Sequence, residues 1–303
     1  MRIVSLLPSA TEIVCAIGLE KYLVGVTHEC DYPPSIRSLP KVTETLIPRD
    51  ASSADIDRLV RIRMVDRQAL YTLDRKMLES LRPDIIVTQA LCDVCAVAEE
   101  EVRQAVCALP GAPTVLNLEP QTLAQVFDSM VVVGRAAGVE KQATRFVENL
   151  RSRVLAVANR STGISMRPRV VVLEWLDPLF SCGHWTPELV EMAGGREMIA
   201  VSGERSRIIT PDDLEAAQPE VIAIACCGYS TSRTLEDIPI VASQSWWHSL
   251  DAVKKGNVFV MDGNAFFSRP GPRLVESLEL LAHAIDPRIH PAPGTTDPAT
   301  RLV

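Results

Sequence analysis

Leu78-Glu79-Ser80-Leu81-Arg82-Pro83-Asp84-Ile85-Ile86-Val87 has a counterpart in the other half of the chain, Leu214-Glu215-Ala216-Ala217-Gln218-Pro219-Glu220-Val221-Ile222-Ala223. Each stretch reads as a short helix that stops before a proline, then an acidic residue opening a continuous apolar strand. Strands that are apolar without alternation are covered on both faces, as in a parallel sheet. The echo therefore predicts two small parallel-sheet lobes built from the same unit.

Working outward, the halves also open alike. Arg2-Ile3-Val4-Ser5-Leu6 precedes a helix expected from Thr11 to Ile17 and then Gly18; Arg169-Val170-Val171-Val172-Leu173 precedes one expected from Pro187 to Ala193 and then Gly194-Gly195. Thr11 and Thr186 sit where a hydroxyl can cap the free amides of a first turn, and glycine suits the far end. Further strands are expected at Leu23 to Val26, Thr114 to Leu118, around Val241, and Val258 to Met261. Residues 51–72 read as a helical excursion. From about 121 to 160 the apolar residues Ala143, Phe146, Val147, Leu150, Val154 and Val157 recur at helical spacing. With a break at Gly138 this leaves a final helix of roughly 20 residues, about 30 Å long. The expected fold class is α/β, with two Rossmann-like parallel-sheet lobes joined by a long backbone helix. The expected boundaries are 1–120 for the first lobe with its insertion at 51–72, 121–160 for the linking helix, 161–290 for the second lobe, and 291–303 for a flexible tail.

The 303 residues suffice for two domains with separate cores, and 47% hydrophobic with 23% charged residues is ordinary for a globular chain. The net charge of -7 and the lack of a Lys/Arg run argue against a nucleic-acid partner, and no apolar run is long enough for membrane insertion. Met1-Arg2 leads straight into the first strand without a signal-like segment. The eight cysteines follow no disulfide framework. The expected location is cytoplasmic, with the periplasm as the alternative where a leader has been removed. The sequence has no G-x-S-x-G, G-x-x-x-x-G-K, G-x-G-x-x-G or H-E-x-x-H, so no enzyme is indicated.

Ligands of open parallel sheets bind beyond the carboxyl ends of the strands. There this chain places His28, Cys30, Asp31 and Tyr32; Cys92 and Cys95; Glu174, Trp175, Cys182, His184 and Trp185; Cys226, Cys227 and Tyr229; and Phe266 and Phe267. Aromatic residues are only 5% of the chain, so their concentration here points to a broad organic ligand. The expected ligand contacts are Asp31, Tyr32, Glu174, Trp175, His184, Trp185, Tyr229 and Phe267, though some of the aromatics can instead plug the sheet ends. Cys92-x-x-Cys95 has three readings: half of a zinc or iron site completed by His28 and Cys30, a redox pair, or loop thiols of no special function. Of Cys226 and Cys227, one is expected to face the ligand and one the core.

The chain resembles the helical-backbone (class III) periplasmic binding proteins, and within them the cobalamin-binding branch. The resemblance is carried by Ser5-Leu6-Leu7-Pro8-Ser9-Ala10-Thr11-Glu12, Asp31-Tyr32-Pro33, Leu81 to Ile86, Phe180-Ser181-Cys182-Gly183, Leu189 to Gly195 and Ser268-Arg269-Pro270-Gly271-Pro272-Arg273. It implies a corrinoid, haem, siderophore or metal ion in the cleft between two lobes, with Tyr32 as the aromatic at its edge. It also implies docking on an ABC permease through one exposed glutamate per lobe, for which Glu100, Glu101 and Glu236 are the candidates. The expected function is binding of cobalamin or a related corrinoid or tetrapyrrole. The alternatives are a zinc- or iron-binding protein using the Cys/His cluster and an enzyme using the same cleft.

Overall fold

The computed structural model describes residues 1–48, 51–65, 70–89, 105–106, 109, 111–294 and 299–302. The chain divides into two compact units, Met1–Pro120 with Ala124–Asn149, and Gln121–Leu123 with Leu150–Val303.

The first unit runs β1 (Ile3–Ser5), α1 (Pro8–Ala16), β2 (Leu23–Gly25), β3 (Thr43–Thr45), α2 (Ser53–Val65), β4 (Tyr71–Leu73), α3 (Arg75–Leu81), β5 (Ile85–Thr88) and β6 (Thr114–Asn117). Its main sheet has the order β2-β1-β5-β6, parallel throughout. Val4, Leu6, Leu78, Leu81 and Ile86 share one buried cluster, so the apolar runs pack helix α3 against the sheet. β3 and β4 pair antiparallel beside it, Thr45 opposite Tyr71. Two helices follow, α4 (Leu123–Ala136) and α5 (Glu140–Ser161), separated by Gly138 in the left-handed region at φ 73°.

The second unit runs β7 (Arg169–Leu176), β8 (Leu179–Ser181), α6 (Thr186–Met192), β9 (Arg196–Glu197), α7 (Pro211–Ala217), β10 (Val221–Ile224), α8 (Thr231–Ala242), α9 (Ser245–Ser249), α10 (Asp251–Lys254), β11 (Val258–Val260), α11 (Leu274–Ile285) and β12 (Thr300–Arg301). β11, β10 and β7 are parallel at the centre; β12 and β8 close the two sides antiparallel. Val171, Leu173, Ile222, Ile224, Val260 and Trp247 form its buried core.

The internal echo has a matching physical form in each unit. α3 ends on Arg82 and α7 on Gln218, both left-handed at φ 44° and 45°. The acidic residue after each proline then reaches the start of the neighbouring strand. The Arg2 amide donates to Asp84 Oδ2 at 2.7 Å, and the Arg169 amide to Glu220 Oε2 at 3.0 Å. Each arginine also donates its Nε–H to a carbonyl at the helix end, Leu81 at 2.6 Å and Gln218 at 2.7 Å. The repeated residues thus fix where β1 meets β5 and where β7 meets β10.

Four expectations are corrected. Val241 lies in helix α8, with Pro239 near its end, because a short apolar run fits a buried helix face as well as a strand. Tyr71 and Thr72 belong to strand β4, where they pair with β3. Thr11 and Thr186 lie within the starts of their helices as expected but do not cap them: the N-cap residues are Leu7 and Trp185, and neither makes a side-chain cap bond. Within the C-terminal segment expected to be an unstructured tail, Thr300 and Arg301 form a short strand with β11 and Arg301 donates to the Asn257 side chain.

Candidate functional site

In the second unit, β7 and β10 end side by side and deliver Glu174, Trp175 and Cys226 to Tyr229. The Trp175 and Tyr229 rings pack with centroids 4.8 Å apart at 44°. The Arg233 guanidinium lies over the other aromatic neighbour, 4.5 Å from the Tyr229 centroid, and is anchored by Asp237 at 2.6 Å. The Trp175 indole N–H donates to the Asp177 carbonyl at 3.0 Å, which fixes the ring's orientation. Both aromatic rings are half-buried. They form a tilted, half-buried aromatic pair at the carboxyl ends of two adjacent strands.

Beside it, Cys226 is buried in the core with its thiol pushed up to about 12, first by burial, while Cys227 is exposed. Gly263 follows β11, and a Cβ there would collide with the Cys226 carbonyl, so only glycine permits this approach. Trp185 and Phe267 are fully packed residues. Trp185 is 5% and Phe267 2% exposed, and the indole N–H donates to the Phe267 carbonyl at 3.0 Å. They support the strand ends from beneath. His184 has the left-handed φ of 52°, held by its amide bond to the Glu204 carbonyl at 2.6 Å and by the Gly203 amide on its own carbonyl at 2.9 Å. Burial, followed by the Arg205 charge, lowers its pKa. Glu174 Oε1 accepts from the Gly183 amide at 3.3 Å.

In the first unit, the loop after β2 carries His28, Glu29, Cys30, Asp31 and Tyr32. Tyr32 precedes a cis peptide bond to Pro33 and is 45% exposed; Arg37 donates to the Asp31 carbonyl at 2.9 Å. Cys30 points inward. Its Sγ lies 3.1 Å from the hydroxyls of both Thr11 and Thr27, and Thr11 donates onward to Ser5 at 2.9 Å. Burial raises its pKa, and its sulfur is engaged by the two hydroxyls. His28 instead joins a recess with Glu29, Thr43 and Tyr71, floored by Leu6 and Pro8. Cys92 and Cys95, the other half of the expected cluster, lie outside the described residues, as do Glu100 and Glu101. Glu236 is exposed, 3.6 Å from Arg233. Among the described residues no group of three His, Cys, Asp or Glu side chains is placed to hold a metal ion.

Sequence reasoning missed Arg233, Asp237, Thr43 and Tyr71. Arg233 and Asp237 follow Tyr229 at intervals of four, a helical spacing that was legible. Tyr71 and Thr43 reach His28 through the β3–β4 pairing, which has no local signature.

Each of the two α/β units thus carries aromatic and polar side chains at the ends of its strands. The chain belongs to the periplasmic binding protein family, whose profile matches residues 3–265, and its fold is that of the class III members. An uncharacterised ABC transporter substrate-binding lipoprotein of Bacillus subtilis is 24% identical over 290 residues, covering 94% of this chain and 80% of that protein. A vitamin B12-binding protein of Vibrio cholerae is 20% identical over 92% of this chain and 86% of its own length. Among solved structures, a periplasmic heme-binding protein from Pseudomonas aeruginosa superposes with a TM-score of 0.73 at 21% identity, covering 100% of this chain and 99% of that one. The periplasmic vitamin B12 binding protein of Vibrio cholerae gives 0.66 at 21% identity, over 94% and 96%. These relatives are described as binding proteins, as is the family itself. No described helix is long and apolar enough to cross a membrane.

Proposed function

We propose that the protein binds cobalamin or a related corrinoid or tetrapyrrole and delivers it to an ABC permease. The observation that carries the reading is the Trp175–Tyr229 pair, a rigid aromatic surface at two strand ends. A planar macrocycle gains apolar burial on such a surface and loses little side-chain entropy there, since the rings are already fixed. In this reading Glu174 and His184 supply polar contacts in the second unit. Trp185 and Phe267 hold the platform in place.

Titration of the purified protein with cyanocobalamin and, separately, with hemin tests the proposal. Binding is followed by calorimetry and by quenching of tryptophan fluorescence. Trp175→Ala and Tyr229→Ala are each expected to weaken binding of the preferred macrocycle by about ten- to a hundredfold, as loss of a buried aromatic contact implies. Absence of saturable binding of either macrocycle would overturn it.

A further inference from the structure

We infer that Glu197 positions His184 for the ligand, acting through the loop of residues 198–209; this rests on the reading of His184 as a polar contact. Glu197 ends the two-residue strand β9. Its Oε1 accepts from the amides of Ile199 at 2.9 Å and Ala200 at 3.0 Å, so one carboxylate oxygen turns the chain out of β9 and fixes the start of the loop. Its Oε2 lies 3.9 Å from the thiol of Cys182, a weak donor two residues before His184.

The same loop grips His184. The Glu204 carbonyl accepts from the His184 amide at 2.6 Å, and the Gly203 amide donates to the His184 carbonyl at 2.9 Å. Those two bonds hold the residue at φ 52°, a conformation that a residue with a Cβ abandons unless its surroundings enforce it. Beside it, a Cβ at Gly183 would collide with the Ser206 backbone amide, so loop and strand end meet backbone to backbone. The far end of the loop is tied to β8. There the Ser181 amide donates to the Arg207 carbonyl and the Ile209 amide to the Leu179 carbonyl, each at 2.9 Å.

The loop is therefore pinned at both ends, and Glu197 is the side chain that pins the first. Bonds from backbone amides to a carboxylate are charge-assisted and stronger than those to a neutral acceptor. Without Glu197 the Ile199 and Ala200 amides lose that acceptor and the start of the loop gains freedom. His184 then relaxes toward a negative φ, which swings its imidazole out of place. A site with a loosened supporting shell loses affinity while every contact residue is still present. The effect of Glu197 on binding thus runs through His184.

The full chain is compared with Glu197→Gln, which keeps a side-chain oxygen for the two amides, and Glu197→Met, which offers only a weakly accepting sulfur. In the ligand-free protein, hydrogen exchange is expected to quicken at the Ile199, Ala200, His184 and Gly203 amides in Glu197→Met and to stay close to wild type in Glu197→Gln. Titration with cyanocobalamin and with hemin is expected to show about tenfold weaker binding of the preferred macrocycle in Glu197→Met and no more than about twofold in Glu197→Gln. The double variant His184→Ala/Glu197→Met should bind no more weakly than His184→Ala alone, because the two residues act as one unit. Where Glu197→Met does not fold, Gly203→Ala loosens the grip from the loop side, at a left-handed φ of 79° with room for a Cβ, and is expected to quicken His184 exchange and weaken binding likewise. The proposal is overturned if His184 and Gly203 exchange as in wild type while Ile199 and Ala200 exchange fast, if Glu197→Gln binds as weakly as Glu197→Met, or if the effects of the double variant add. Should neither macrocycle bind, the functional reading fails, while exchange at His184 and Gly203 still decides whether Glu197 holds the loop.

Discussion

Arg82 and Gln218 occupy equivalent places in the two halves, and both adopt a left-handed conformation that favours glycine. Arg82→Gly and Gln218→Gly are each expected to stabilise the protein by up to about 1 kcal/mol, seen as a rise in the urea midpoint. His290, which is buried, and His184, which is half-buried, act in the opposite direction as the medium acidifies. Burial is the main cause lowering both His184 and His290, and His290 is 1% exposed with its Nε2 3.2 Å from Ser161 Oγ. The unfolded chain takes up protons near the ordinary value of 6.5, whereas the folded chain does so only at lower pH. Their contribution is therefore complete above about pH 6.5 and is lost as pH falls toward the depressed values. Urea midpoints measured between pH 7.5 and 5.5 should decline, and less so in His290→Gln if that variant folds.

At the scale of elements, helices α5 and α11 are joined by Arg153, which donates to Glu279 at 2.7 Å and to Glu276 at 3.1 Å. The group is part-exposed, so Arg153→Ala is expected to cost only about 1 kcal/mol, with the loss shrinking in high salt. Gly263→Ala is expected to cost more, because the collision is with the backbone of Cys226 rather than with a side chain that can move. Differential scanning calorimetry of the two variants should rank them in that order. The elements legible in the sequence were those whose residues carry their own signal. β5 and β10 are continuous apolar runs, and α5 has a helical stripe. β4 and α8 were not legible, since Tyr71 and Val241 are assigned by what packs against them.

For the whole molecule, each unit has its own sheet and its own buried core, and ligand binding is linked to folding by mass action. A macrocycle present at a hundredfold its dissociation constant should stabilise the chain by about 2.7 kcal/mol, measurable as a rise in thermal midpoint that Trp175→Ala reduces at the same ligand concentration. The sequence by itself determined the duplicated α/β architecture, because short-range patterns of apolar runs, prolines and acidic residues decide local conformation and strand pairing. It also located Trp175, Tyr229, His28 and Cys30 at strand ends. Only the tertiary structure decided their surroundings: Trp185 and Phe267 pack inward, Cys30 bonds to threonines, Arg233 stacks on Tyr229, and His28 meets Tyr71. Those relations depend on side-chain direction and on partners distant in sequence, and periodicity along the chain encodes neither.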